Sequence, residues 1–423
     1  MLKDRFDNPL TTGSVAARDS YVAGIDLLLA SGGGVADAFN AALEADPAFV
    51  MPRIALARHH QTWGQSKIAR EVLAEIPDEP PGLTQQERSH LGATRLLIGG
   101  KAAEAYQNIR SHILDYPRDA LLAQTCMGVF SLIGFSGQPG RESEQLAFSS
   151  ALAPHHGDDW WFLAQHAFSQ IETGQTAKAE DTITRALEGN PRNAQGAHVR
   201  SHLYYEVGET AAGLNYLKDW QQGYDHSGLM NCHLAWHIAL WAMVDGDLGT
   251  MWQQVDDHIL PDSGGPALNV LTDLVALFFR GQLAGVDIDP ARWQMLSDYA
   301  LEKFPKPGLA FADVHAALAH ALAGNSDALH VLTEAPRGPA ADLVSQLAKC
   351  FELVASEDWD TALQTLAPAL ADHARIGGSR AQRDLLELLN AHVLCQLGRP
   401  DEARRGLARQ RHMATNGQSV AGL

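Results

Sequence analysis

Apolar residues recur three and four positions apart along most of the chain, and no stretch keeps the strict apolar–polar alternation of a half-buried sheet. That pattern predicts helices and almost no strand. Trp160 to Glu172 is one such segment; it stops at Thr173-Gly174-Gln175, and a second runs from Ala177 to Leu187 before Gly189-Asn190-Pro191. Helix, polar break, helix is the unit that repeats. Pro47, Pro81, Pro117, Pro154 and Pro191 follow one another at 34, 36, 37 and 37 residues. Proline lacks the N–H that a helix interior needs but suits a boundary or a first turn, so the prolines predict where hairpins meet. Gly64, Gly99-Gly100, Gly208 and Gly246 mark turns inside hairpins. Thr84 with Glu87, and Ser379 with Gln382, have the spacing of a capping box.

A period near 36 residues is the signature of stacked helix hairpins, and small Ala179 and Ala186 followed by Pro191 occupy late positions of the tetratricopeptide pattern. The fold expected is all-α, a tetratricopeptide-like α-solenoid forming a right-handed superhelix. Residues 1–34 read as an N-terminal arm and leading helix, and residues 35–423 as a single solenoid. Its repeats are regular to about residue 261; degenerate repeats and a capping helix follow, after loops at Asp262 to Pro266 and Pro305 to Gly308.

Charge narrows the partners. With 32 Lys plus Arg against 50 Asp plus Glu, the formal charge is −18, which opposes approach to a phosphate backbone and predicts no nucleic-acid partner. Arg404, Arg405, Arg409 and Arg411 are spaced for the wet face of a last helix. Cys126, Cys232, Cys350 and Cys395 lie far apart without C-x-x-C spacing, and the first residues carry acids instead of an apolar leader. The apolar run from Val270 to Phe279 is short and broken by Asp273. A cytoplasmic protein with no membrane partner is expected.

The chemistry-bearing pattern is a histidine repeat. His198 and His202 are four apart, as are His233 and His237, and the pairs are offset by 35 residues at both members. Four-residue spacing puts each pair on one helix face, and the offset puts both pairs on equivalent first helices of adjacent hairpins. His166 extends the set on the preceding first helix, and Trp160, Trp161, Trp220, Trp236, Trp241, Trp252 and Trp293 fall in the same central region. Three readings stand side by side: a concave His/Trp-lined recognition groove, histidines buried and hydrogen-bonded between hairpins, and a metal or acid–base site. H-E-x-x-H, G-x-x-x-x-G-K-[ST] and G-x-S-x-G are all missing from the sequence.

Further polar elements follow in order. Ala45-Asp46-Pro47 precedes Phe49-Val50-Met51; Leu83-Thr84, Glu87 and His90 come next; the histidine pairs follow, the second within Cys232-His233, Trp236-His237 and Ala239-Leu240. Asp256 with His258-Ile259-Leu260-Pro261, Asp313-Val314-His315, and Gly377-Gly378-Ser379 with Ala381-Gln382-Arg383-Asp384 complete the series. Together these resemble the tetratricopeptide repeat protein 38 family over essentially the whole chain, although this chain is somewhat shorter than its members. The resemblance implies the repeat fold and brings no established reaction.

The function expected is binding of a small molecule or peptide in the groove, with Trp236, His166, Arg383, Gln382 and His258 as contacts. The alternative is an enzyme, a hydrolase or lyase, with His198, His202, His233, His237, His315 and Asp384 as catalytic candidates and the first four also as metal ligands; its cofactor would be a divalent metal. A structural adaptor with core histidines is the second alternative. Ser379 and Gln382 also read as a helix cap, Arg383 and Asp384 as an inter-hairpin ion pair, and His258 as the end of its helix.

Overall fold

The computed structural model describes residues 1–411 and 419–423. A two-stranded hairpin, β1 (Leu2–Lys3) and β2 (Pro9–Leu10), opens the chain. Helix hairpins follow: α1 (Val15–Leu29) with α2 (Val35–Ala45), α3 (Val50–Thr62) with α4 (Ser66–Ala74), and α5 (Gln85–Ile98) with α6 (Ala102–Asp115). The short α7 (Ala120–Ala123) and the single α8 (Arg141–His156) interrupt the series. It resumes with α9 (Trp160–Glu172) and α10 (Thr176–Gly189), α11 (Ala194–Val207) and α12 (Thr210–Gln221), and α13 (Asn231–Val244) and α14 (Leu248–Gln254). The last four hairpins are α15 (Ala267–Leu283) with α16 (Pro290–Lys303), α17 (Ala310–Leu322) with α18 (Ser326–Glu334), α19 (Ala341–Ala355) with α20 (Trp359–Leu370), and α21 (Arg380–Gln396) with α22 (Pro400–Gln410).

Local chemistry explains most boundaries. Pro47, Pro81, Pro117 and Pro191 lie between helices, whereas Pro154 sits inside the last turn of α8, where it forfeits one backbone bond close to the helix end. Both capping boxes form, at Thr84/Glu87 and Ser379/Gln382. The turns between paired helices use glycines in the left-handed region, such as Gly208 at φ 77° and Gly246 at φ 83°. Helix hairpins continue beyond residue 261, and the stretch around α7 and α8 also departs from the repeat.

The two helices of a hairpin differ in burial. Four residues of α10 are buried along one stripe, as in a surface helix. In α13 every residue from Asn231 to Met243 is buried. An open solenoid would leave the first helices a wet concave face. Here α21 packs against both α11 and α15, so the superhelix curls back on itself and covers that face. The tryptophans follow suit: Trp161, Trp236, Trp241 and Trp293 are core residues. No helix among the described residues is long and apolar enough to cross a membrane.

Candidate metal centre

His198 and His202 project from α11, and His233 and His237 from α13, and the four imidazoles form one buried cluster. One ligating atom from each lies within 4.8 Å of the others. Ring centroids are 4.5 Å apart for His198–His202, 4.8 Å for His198–His233 and for His202–His237, 5.0 Å for His233–His237 and 5.4 Å for His198–His237. Imidazoles bound to one tetrahedral ion at about 2.0–2.1 Å would hold their centroids about 5 Å apart, so the rings stand at coordination spacing.

Hydrogen bonding within the cluster is sparse. His198 Nε2 and His202 Nε2 are 2.8 Å apart, and His233 Nδ1 lies 2.8 Å from Asp273 Oδ2 on α15. His198 Nδ1, His202 Nδ1 and both nitrogens of His237 are buried without a partner. Unpaired buried polar atoms cost about 1–3 kcal/mol each, so a set of four asks for an explanation. Burial, reinforced by the neighbouring imidazoles, holds His198, His202 and His237 well below the usual histidine range. They are neutral at pH 7, the form that ligates a cation. Trp236 stacks on His233 at 5.2 Å with an interplanar angle of 8° and fixes its plane. Asp273, fully buried, orients the same ring from the other side, the usual second partner of a ligating histidine. Its signal in the sequence was the single acid inside an apolar run.

The remaining candidates lie elsewhere. His166 is half-buried on α9, with Nδ1 2.9 Å from Ser149 Oγ. His258 pairs with His226 at 4.8 Å in the π-helical turn Val255–Ile259. His315 is buried on α17, where it packs on Phe311 and places Nδ1 2.7 Å from the Phe311 carbonyl oxygen. Gln382 closes the α21 capping box, its Oε1 accepting from the Ser379 N–H at 3.0 Å. Arg383 and Asp384 do not pair with each other. Arg383 donates to the Gly378 carbonyl at 2.6 Å and to Glu142. Asp384 accepts from the Tyr205 hydroxyl at 2.7 Å and lies 2.6 Å from Arg411 Nε.

This last contact corrects the reading of the basic C-terminal cluster. Arg404 is exposed and paired with Asp401, but Arg411 is buried and meets both carboxylate oxygens of Glu206, at 2.9 and 2.7 Å. Helical spacing stopped being informative there because α22 ends at Gln410 and the chain turns inward. Arg280 on α15 joins the network through the Tyr205 hydroxyl at 3.0 Å.

Fold and site together define an all-α, tetratricopeptide-like helical-repeat protein with a buried histidine tetrad. No family model matches the chain. Among solved structures it is similar to the human IFIT1 dimer with m7Gppp-AAAA, at 15% identity over 96% of this chain and 91% of that one, with a TM-score of 0.43. Yeast Tom70 aligns at 14% identity over 94% and 84%, with a TM-score of 0.35, and the P58(IPK) TPR domain at 14% over 93% and 99%, with a TM-score of 0.22. Likeness at this level says nothing about ligands.

Proposed function

We propose that this protein is a metal-binding helical-repeat protein, with His198, His202, His233 and His237 holding one divalent first-row transition ion between adjacent hairpins. The observation that carries the reading is a buried set of four imidazoles, each with a ligating atom within 4.8 Å of the others and with four ring nitrogens left without a partner. Imidazole donors suit zinc, copper, iron and nickel. The rings are too closely packed for an organic molecule or peptide to lie between them, which favours an ion over the larger ligands that a groove would take. Four protein ligands complete a tetrahedral shell, the arrangement of a structural centre. A six-coordinate ion would keep two positions for chemistry, and the Tyr205, Asp384 and Arg280 network one turn beyond His202 supports an enzyme as the second reading. The motifs that resemble the tetratricopeptide repeat protein 38 family include all four of these histidines, and kinship with that family is part of the proposal.

Elemental analysis of the purified full chain tests it. Stoichiometric metal is expected, with one equivalent lost in His233→Ala plus His237→Ala while the helical circular dichroism persists. Metal content equal in wild type and variant would remove the tetrad as its seat. Zinc would favour the structural reading, and iron or manganese the catalytic one.

A further inference from the structure

A second group of ligating side chains, sharing no residue with the tetrad, lies where the N-terminal arm crosses the third hairpin. Asp119 caps α7, its Oδ1 accepting from the Leu122 N–H at 3.2 Å. Its other oxygen, Oδ2, faces His90 Nδ1 at 2.8 Å and His112 Nε2 at 3.0 Å. His90 comes from α5 and His112 from the last turn of α6, and all three side chains are more than nine-tenths buried. Ser89 Oγ lies 2.9 Å from His112 Nδ1, a partner able to accept from Nδ1–H and leave Nε2 as the ligating nitrogen.

Two further observations point to a cation. A small, partly open cavity of about 20 Å³ beside Asp119 is lined by Asp4, Tyr21, Gln86, Glu87 and Asp119, and reaches the two histidines only through Asp119. That is room for one water or ion. Three carboxylates border it, and among the described residues none of them meets a lysine or arginine; their contacts are backbone N–H groups, Thr11, Thr84, Asn8, Gln86 and the two histidines. Buried carboxylates gathered without a cationic side chain are costly unless they are protonated, paired or coordinate a metal ion. A surface cleft of about 390 Å³ shares Phe6, Asn8, Pro9 and Gln86 with the cavity as a common wall.

We propose that His90, His112 and Asp119 form a second site for a divalent first-row transition ion, one of whose remaining positions is filled by water from the adjoining cavity. The separations of 2.8 and 3.0 Å match the edges of about 3 Å expected between cis ligands of a six-coordinate ion at about 2.1 Å. Two imidazoles exclude magnesium and calcium as the preferred occupants, which favour oxygen. Unlike the tetrad, this site has three protein ligands and keeps a coordination position open, as catalytic centres do. It shares no residue with the tetrad and stands or falls separately.

The test is metal stoichiometry of the full chain after equilibration with zinc and removal of excess ion. Wild type should retain two equivalents. His90→Gln plus His112→Gln should retain one, and the tetrad variant His233→Ala plus His237→Ala should retain the other. Asp119→Asn keeps a capping side chain and the shape of the carboxyl, and serves where the histidine variant does not fold; its affinity at this site should fall at least tenfold. Unchanged stoichiometry in the histidine variant, or unchanged affinity in Asp119→Asn, overturns the site whatever the tetrad does. Loss of one equivalent here with none lost from the tetrad variant would uphold it and reject the tetrad.

Discussion

At the scale of single residues, Asp273 tests whether the tetrad is a tuned ligand set or a packed histidine cluster. Its carboxylate accepts from His233 Nδ1 and leaves the other ring nitrogen free to ligate. Asp273→Asn keeps the size and an accepting oxygen but removes the charge. Such second partners are worth about 10–100-fold in metal affinity, so the variant should bind metal that much more weakly with an unchanged helical spectrum. A competition titration against a chromophoric chelator reads the difference. Equal affinities would make Asp273 a packing residue only. The phenol of Tyr205, pushed up by burial, stays protonated and donates to Asp384, so it adds no charge beside the cluster.

At the scale of helix pairs, close approach is set by small residues. Gly213 on α12 faces Trp241 on α13; a Cβ there would lie 2.7 Å from the indole Cη2 and 3.0 Å from the Cβ of Tyr204. In an ordinary helix interior Gly→Ala gains about 0.5–1 kcal/mol. Here the overlap with a buried ring outweighs that gain, and Gly213→Ala should destabilise by about 1–3 kcal/mol, measured by denaturant melting. An increase in stability would mean that Trp241 moves freely, which its burial argues against. This scale was also the most legible in the sequence. The prolines, turn glycines and capping boxes act within a few residues, and the 35-residue offset of the histidine pairs carried directly into space because α11 and α13 are equivalent first helices. Asp273 belongs to the next first helix, and nothing in its spacing tied it to His233. His112 and Asp119 were hidden for a related reason: they sit where the repeat gives way to α7, so no periodic position announces them.

At the scale of the whole molecule, curvature decides what neither residues nor repeats reveal. Small rotations per repeat accumulate until distant hairpins meet, and a single period cannot say which ones. Here Arg141 donates to the Ala374 carbonyl across 233 residues, and Arg411 grips Glu206 across 205. Closure buries first-helix histidines that an open solenoid would hydrate, and this fixes how stability responds to acid. Burial lowers eleven histidines among the described residues, with His315 and His320 at about 4, whereas five carboxyls are raised, Asp4 and Asp313 to about 6 and Glu172 to about 7. A histidine depressed in the folded state takes up its proton first in the unfolded chain, so its contribution is full above pH 6.5 and is lost as pH falls towards 4. For His315 alone that is about 3 kcal/mol. The raised carboxyls act in the opposite sense, losing their contribution as pH rises through about 4 to 7. The histidines outnumber them, so stability should fall on acidification between pH 6.5 and 4. Denaturant melts across that range check the sign, and a bound metal sharpens the test. Ligation requires neutral imidazoles, and burial keeps those of the tetrad neutral well below the usual histidine range, so the loaded protein should carry the stabilisation that binding supplies, about 2.7 kcal/mol where free metal is 100 times the dissociation constant. Melts with and without a chelator should therefore differ at pH 7. Coincidence there would leave the closed superhelix standing without a metal in its wall.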